Sequence, residues 1–170
     1  MLNEIYNKRI LALASDIPHG ERLDAPDASA TAVSKLCGSK VTVDVKLDGD
    51  TVVAYGADVK ACALGQASSS IMARNVIGST VSELHDIAAA MRAMLKENGE
   101  PPREAYGGKW KDLEVLEPVR EYKARHASTL LVFDAVEEAV EAARARARDK
   151  GEGSGTAPQT GTLTSTGPSA

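Results

Sequence analysis

The sequence has few of the residues that would settle its chemistry at once. Of 170 residues only two are cysteine, Cys37 and Cys62, and three are histidine. Two cysteines are too few for a disulfide-stapled secreted fold and too few for a self-contained four-cysteine metal site. Aromatic residues make up 4% of the chain, which argues against stacking platforms for single-stranded nucleic acid. Lys plus Arg number 20 against 24 Asp plus Glu, a net charge of −4 with no basic block, so a nucleic-acid partner is not expected. No apolar run approaches the roughly 18 residues of a membrane helix. Glu4, Lys8 and Arg9 break up the apolar N-terminus, so no secretory leader is expected there. A phosphate-cradling Walker loop, an HExxH pair and a Gly-x-Ser-x-Gly elbow are all missing. The expectation is a cytoplasmic protein with reduced thiols, associated with no membrane and acting as no independent enzyme.

What is present reads as one domain over residues 1–150 and a tail over 151–170. The tail, GEGSGTAPQTGTLTSTGPSA, holds one charge and too little apolar surface to offset ordering, so it is expected to be disordered. Leu2, Ile5, Tyr6, Ile10 and Leu13 recur at helical spacing. Residues 25–34 have weak strand character. Val41, Val43, Val45 and Leu47 alternate with Thr42, Asp44 and Lys46, a strand with one buried face. Asp48-Gly49-Asp50 then turns the chain into a return strand over residues 51–59. After Cys62 the pattern is helical. Thr80-Val81-Ser82-Glu83 has the form of a capping box, and Val81, Leu84, Ile87, Ala88, Met91 and Leu95 form the helical stripe behind it. Residues 100–111 hold two Pro and two Gly and read as a loop that Trp110, Leu113 and Leu116 pin to the core. A long helix begins at Ser128, a good N-cap residue. Strands in one block and helices in another predict an α+β fold: a short antiparallel sheet of about three strands with helices packed on it.

The chemistry centres on the cysteines. Cys37 lies between Lys35 and Lys40, whose charges favour a thiolate, the reactive and metal-binding form. Cys62 lies between a strand and the start of a helix, where orphan N–H groups favour an anion. Either thiol also fits an inert role as a small buried hydrophobe. Both sit at strand ends, so neighbouring strands would bring them to one edge of the sheet. His19 and His85 have no partner at ligand spacing and read as structural.

Two motifs here resemble a known family, the U-type iron–sulfur cluster assembly scaffolds (IscU, SufU and the N-terminal domain of NifU). They are Leu36-Cys37-Gly38, and Ala61-Cys62-Ala63 continued by Ala67-Ser68-Ser69-Ser70-Ile71-Met72. Arg125-His126-Ala127-Ser128 followed by Phe133-Asp134-Ala135 is similar to the family's third-cysteine motif, and Leu116-Glu117-Pro118-Val119 to its longer SufU-like branch. The resemblance spans about residues 1–145 and implies an α+β scaffold. Its cargo would be iron, a [2Fe–2S] cluster or zinc, or sulfur accepted at Cys37 and Cys62. The implied partners are a cysteine desulfurase, apo iron–sulfur acceptor proteins and a second copy of the chain. Two family donors are replaced: Ser39 stands where the family has Asp, and Ser128 where it has Cys. A serine hydroxyl stays protonated near neutral pH and is a poor ligand for such metals. His126, two positions before Ser128, is the candidate replacement donor. The alternative is a scaffold fold whose site has decayed and which serves as an interaction or regulatory module in iron–sulfur metabolism.

Overall fold

A computed structural model describes residues 7–155, with side chains described to residue 149. Leu2, Ile5 and Tyr6 of the expected first helix, and residues 156–170 of the expected tail, lie outside the described residues. Helix α1 spans Lys8–Ala14, with Asn7 as its cap: the Asn7 side chain accepts from the Ile10 N–H at 3.0 Å. Three strands follow, β1 (Ala28–Val33), β2 (Lys40–Asp48) and β3 (Thr51–Lys60). They form one antiparallel sheet in the order β1-β2-β3, with an irregularity at Lys46/Leu47. The α+β architecture with a three-stranded sheet is therefore as expected.

Val41, Val43 and Val45 of β2 and Tyr55 and Ala57 of β3 enter the core, each 3% exposed or less. Burying such side chains is worth about 1.5–3 kcal/mol apiece for the larger ones. The expectation of a single buried face on β2 is corrected here. Thr42 and Asp44 on its other face are 8% and 0% exposed. The segment between α1 and β1 runs over that face. It comes so close that a Cβ on Gly56 would lie 2.2 Å from the Glu21 carbonyl oxygen, so β3 needs glycine there. Asp44 meets this cover with a bidentate bond to Arg22 (2.6 and 3.0 Å) and the Leu23 N–H (2.9 Å), and also accepts from the Ser29 hydroxyl of β1.

The helices close the other side. Helix α2 spans Ala63–Asn75 and α3 spans Val81–Lys96. The capping box is half formed. Thr80 Oγ1 accepts from the Glu83 N–H at 3.0 Å, but the Glu83 carboxylate does not reach back. It is 6% exposed and instead takes Trp110 Nε1 at 2.7 Å and Lys109 Nζ at 3.0 Å. That pull, with Trp110, Leu113 and Leu116 fully buried, pins the loop to the core as expected. Residues Lys111–Glu121 and Lys123–Arg125 are 3₁₀ turns that lead straight into α4, His126–Gly155. Helix α4 packs across β1, β2, α2 and α3. It runs five residues into the segment read as tail. No helix among the described residues is long and apolar enough to cross a membrane.

Candidate functional site

The site is built at the end of the sheet where β2 begins and β3 ends. Lys40 and Lys60 are direct register partners there. Cys37 precedes the first by three residues and Cys62 follows the second by two, so the hairpin brings both cysteines to one edge, as their positions at strand ends suggested.

Cys37 sits in a tight loop between β1 and β2. Its closure is main-chain: Ser34 N–H bonds Ser39 O and Gly38 N–H bonds Ser34 O, both at 2.8 Å. The turn needs φ +74° at Gly38, which glycine adopts without strain. Cys37 is exposed at the tip, while Ser34 and Ser39 are 4% and 3% exposed beneath it. Cys37 Sγ lies 3.0 Å from Ser39 Oγ and 3.6 Å from Ser34 Oγ. The Ser39 hydroxyl holds this thiol below its usual range. The Ser34 hydroxyl, the Ser39 main chain and, least of all, the Arg125 charge add to the effect, against an opposing contribution from burial. Ser34 and Arg125 are the contributors that sequence reasoning missed. Ser34, three residues before Cys37, is the one a loop-closure argument could have found.

Cys62 occupies the N-cap of α2 with extended backbone (φ −70°, ψ 175°) and makes no side-chain cap bond. Its thiol donates instead to Ser128 Oγ at 3.5 Å, and Ser128 Oγ donates to Arg125 O at 3.2 Å. The N-cap expectation for Ser128 is thus corrected. Helix α4 starts two residues earlier because the preceding 3₁₀ turns already supply helical backbone, and Ser128 lies 2% exposed in its first turn. Gly65 makes the approach possible. A Cβ there would lie 2.7 Å from Ala61 Cβ and 3.1 Å from Ser128 O, so a side chain would push the starts of α2 and α4 apart.

Cys37 with Ser39, and Cys62 with Ser128, therefore form two thiol–hydroxyl pairs at the same end of the sheet. His126 is placed otherwise. It is 7% exposed, and its Nε2 donates to Val119 O (3.1 Å) and Arg120 O (3.2 Å), tying α4 to the turns before it. Among the described residues no three His, Cys, Asp or Glu side chains are grouped to hold one metal ion. His19 lies in its turn at φ 56° with its carbonyl accepting from Ala57 N–H. His85 bridges α3 to α4 between Glu137 (2.6 Å) and Glu141 (2.5 Å), so both are structural as read.

A sequence model described as the NifU-like N terminal domain matches residues 5–129. The chain belongs to this family. Two scaffold relatives agree. The iron–sulfur cluster assembly scaffold protein IscU of Thermotoga maritima is 25% identical over 137 residues, covering 81% of this chain and 93% of the relative. IscU of Streptococcus pyogenes serotype M1 is 27% identical over 141 residues, covering 82% and 85%. Among solved structures, a nitrogen-fixing NifU-like protein (N-terminal) from Brucella abortus is 53% identical with TM-score 0.80, covering 85% of this chain and 97% of that one. The SufU protein of Fervidobacterium islandicum AW-1 shares the fold at 22% identity and TM-score 0.72, covering 81% and 98%. The chain is a member of a family of iron–sulfur cluster assembly scaffolds, in which Ser39 and Ser128 lie beside the two thiols.

Proposed function

We propose that this family member acts in iron–sulfur cluster assembly as a sulfur-accepting scaffold, with Cys37 as the acceptor and Cys62 as the second thiol of the site. The observation that carries the reading is Cys37 itself: exposed at a loop tip, with Ser39 Oγ at 3.0 Å and Ser34 Oγ at 3.6 Å stabilising its thiolate. A thiolate is the form that attacks a sulfane sulfur. The donor is a cysteine desulfurase, and the recipients are apo iron–sulfur acceptor proteins. The role is that of a carrier and scaffold, not of an independent catalyst.

The donor set favours sulfur acceptance over metal holding. A tetrahedral zinc or a [2Fe–2S] cluster needs four good donors, and one chain offers two thiols and two hydroxyls. Iron or a cluster as cargo would be held by Cys37 and Cys62 together with the same pair from a second copy. A decayed interaction module is the second reading, favoured by the two serines. The deciding experiment incubates the chain with a cysteine desulfurase, cysteine and iron without oxygen, followed by mass spectrometry and absorption spectra. The expected result is one added sulfur on Cys37, lost in Cys37→Ser. Partner capture that persists in the Cys37→Ser/Cys62→Ser variant, with no sulfur loaded on the parent chain, would establish the second reading instead.

A further inference from the structure

Among the described residues six large hydrophobic side chains are exposed: Leu11, Val33, Leu36, Val53, Ile77 and Tyr106. Single exposed apolar residues are ordinary on a protein surface. Their placement here is uneven. Val33 and Leu36 stand four residues and one residue before Cys37, and Leu36 is the most exposed of the six at 78%. Leu36 has no apolar seat within its own loop. Beneath the tip lie Ser34 and Ser39, both buried, with their hydroxyls on Cys37 Sγ. The loop is closed by main-chain bonds among Ser34, Gly38 and Ser39, and Leu36 takes no part in them. The closed loop thus holds the leucine out in a fixed setting, which keeps the ordering cost of binding small. What covers it follows from the chemistry next to it. Loading sulfur on Cys37 requires a new S–S bond of about 2.05 Å at its Sγ. The Cα atoms of Leu36 and Cys37 are about 3.8 Å apart. A persulfide carried by a protein therefore cannot reach the thiol unless that protein also covers Leu36.

We propose that Leu36, with Val33 as a lesser contact, is the apolar anchor that docks a cysteine desulfurase over Cys37, filling an apolar recess beside the donor's persulfide. The inference rests on the sulfur-accepting reading above and names the surface that recognises the donor. The step served is a thiol–persulfide exchange. Cys37 Sγ attacks the outer sulfur of the desulfurase's Cys–S–SH and a Cys37 Sγ–S bond forms. The donor's S–S bond breaks, and its cysteine leaves as a thiolate with the electron pair. The proton stays on the transferred sulfur, so no oxidant or reductant is needed. Leu36 serves the encounter, while Ser39 and Ser34 set the reactivity of the thiol. Docking and reactivity are therefore separable by measurement.

The test uses the full chain with a cysteine desulfurase and cysteine, without oxygen. Sulfur on Cys37 is read by peptide-resolved mass spectrometry as the concentration of this chain is varied. Alkylation of Cys37 by iodoacetamide, which needs no docking surface, is read in parallel. Leu36→Ser should raise the concentration for half-maximal loading roughly tenfold, and leave the maximal rate and the alkylation rate as they were. Leu36→Met keeps the apolar bulk and should stay near the parent. Val33→Thr should raise the half-maximal concentration by a few-fold. Val53→Thr, the same exchange on an exposed valine towards the other end of the sheet, should leave it unmoved. An unmoved half-maximal concentration in Leu36→Ser overturns the inference and leaves sulfur acceptance standing. So does a fall in loading matched by an equal fall in alkylation, because Leu36 would then act on the thiol and not on the partner. A parent dimer that dissociates in Leu36→Ser with loading unmoved places a second copy on this surface, and overturns the inference too. No sulfur loaded on the parent chain overturns the sulfur-accepting reading, and this inference with it.

Discussion

Replacing Asp44 by Ala removes the buried charge that fastens the segment between α1 and β1 to the sheet. The Asp44 side chain is fully buried and accepts from Arg22 Nε (2.6 Å), Arg22 Nη2 (3.0 Å), Leu23 N–H (2.9 Å) and the Ser29 hydroxyl. Breaking a buried pair on one side costs about 3–5 kcal/mol. Here the stranded partner, Arg22, is 52% exposed and regains water, which lowers the figure. The Leu23 N–H does not, and losing a hydrogen bond to a charged acceptor costs about 1.5–3 kcal/mol. The expected loss is therefore about 2–3 kcal/mol, or roughly 5–10 °C in Tm for a chain of this size. Thermal unfolding followed by circular dichroism at neutral pH reads it directly. The pH dependence checks the cause. Burial pushes the Asp44 carboxyl up, but Arg22, Ser29 and the Leu23 N–H outweigh it and hold the group below its ordinary value. A depressed folded value means the stabilisation is present above about pH 4 and is lost as pH falls through the folded value. The gap between wild type and Asp44→Ala should thus be constant near neutrality and close in acid. A Tm shift under about 2 °C, or a gap that stays open in acid, would refute the account.

The remaining predictions concern the site and its supports. In Ser39→Ala the pH midpoint of Cys37 alkylation should rise, because the largest stabiliser of the thiolate is gone; an unmoved midpoint would remove the Ser39 hydroxyl from the argument. His85 is held above its ordinary value by its hydrogen bond to Glu137, against partial burial and with help from Glu141, while Arg92 and Arg144 bind the same acids. Its stabilisation is complete below about pH 6.5 and is lost as pH rises through the raised value. Urea unfolding should therefore show wild type losing stability relative to His85→Gln across that window. Glu83→Ala should cost roughly 2 kcal/mol by leaving buried Trp110 Nε1 without an acceptor and Lys109 without its carboxylate, and should shift Trp110 fluorescence towards the red. Ser39→Asp with Ser128→Cys should give near-stoichiometric zinc on elemental analysis. Ligand sulfurs on tetrahedral zinc are about 3.8 Å apart given a Zn–S bond of about 2.3 Å, close to the 3.5 Å between Cys62 Sγ and Ser128 Oγ.

The outcome at Asp44 and at Ser128 shows where pattern reading stops. Alternation placed β2 correctly, because Val41, Val43 and Val45 share one face and burying valines is a local, additive effect. The same alternation put Asp44 in solvent. What buries it is Arg22 and Leu23, on a segment with no periodicity of its own, so nothing local marks Asp44 as a partnered charge. Ser128 failed for a related reason. Serine is favoured at N-caps, but the backbone of Lys123–Arg125 is already helical, so α4 has no free start for it to cap and its hydroxyl turns to Cys62 and Arg125. That both cysteines come to one end of the sheet was legible, since the register of one hairpin dictates it. The division of the site into two thiol–hydroxyl pairs was not, because it depends on Gly65 letting α2 and α4 touch. That contact has its own consequence. If the 3.1 Å clearance between Gly65 and the Ser128 carbonyl oxygen is what seats Ser128 against Cys62, then Gly65→Ala should separate that pair and leave the Cys37 loop intact, since Ser34, Gly38 and Ser39 close it without α4. Alkylation of Cys62 should then change while that of Cys37 does not. Equal changes at both thiols would mean that the two pairs are one mechanical unit.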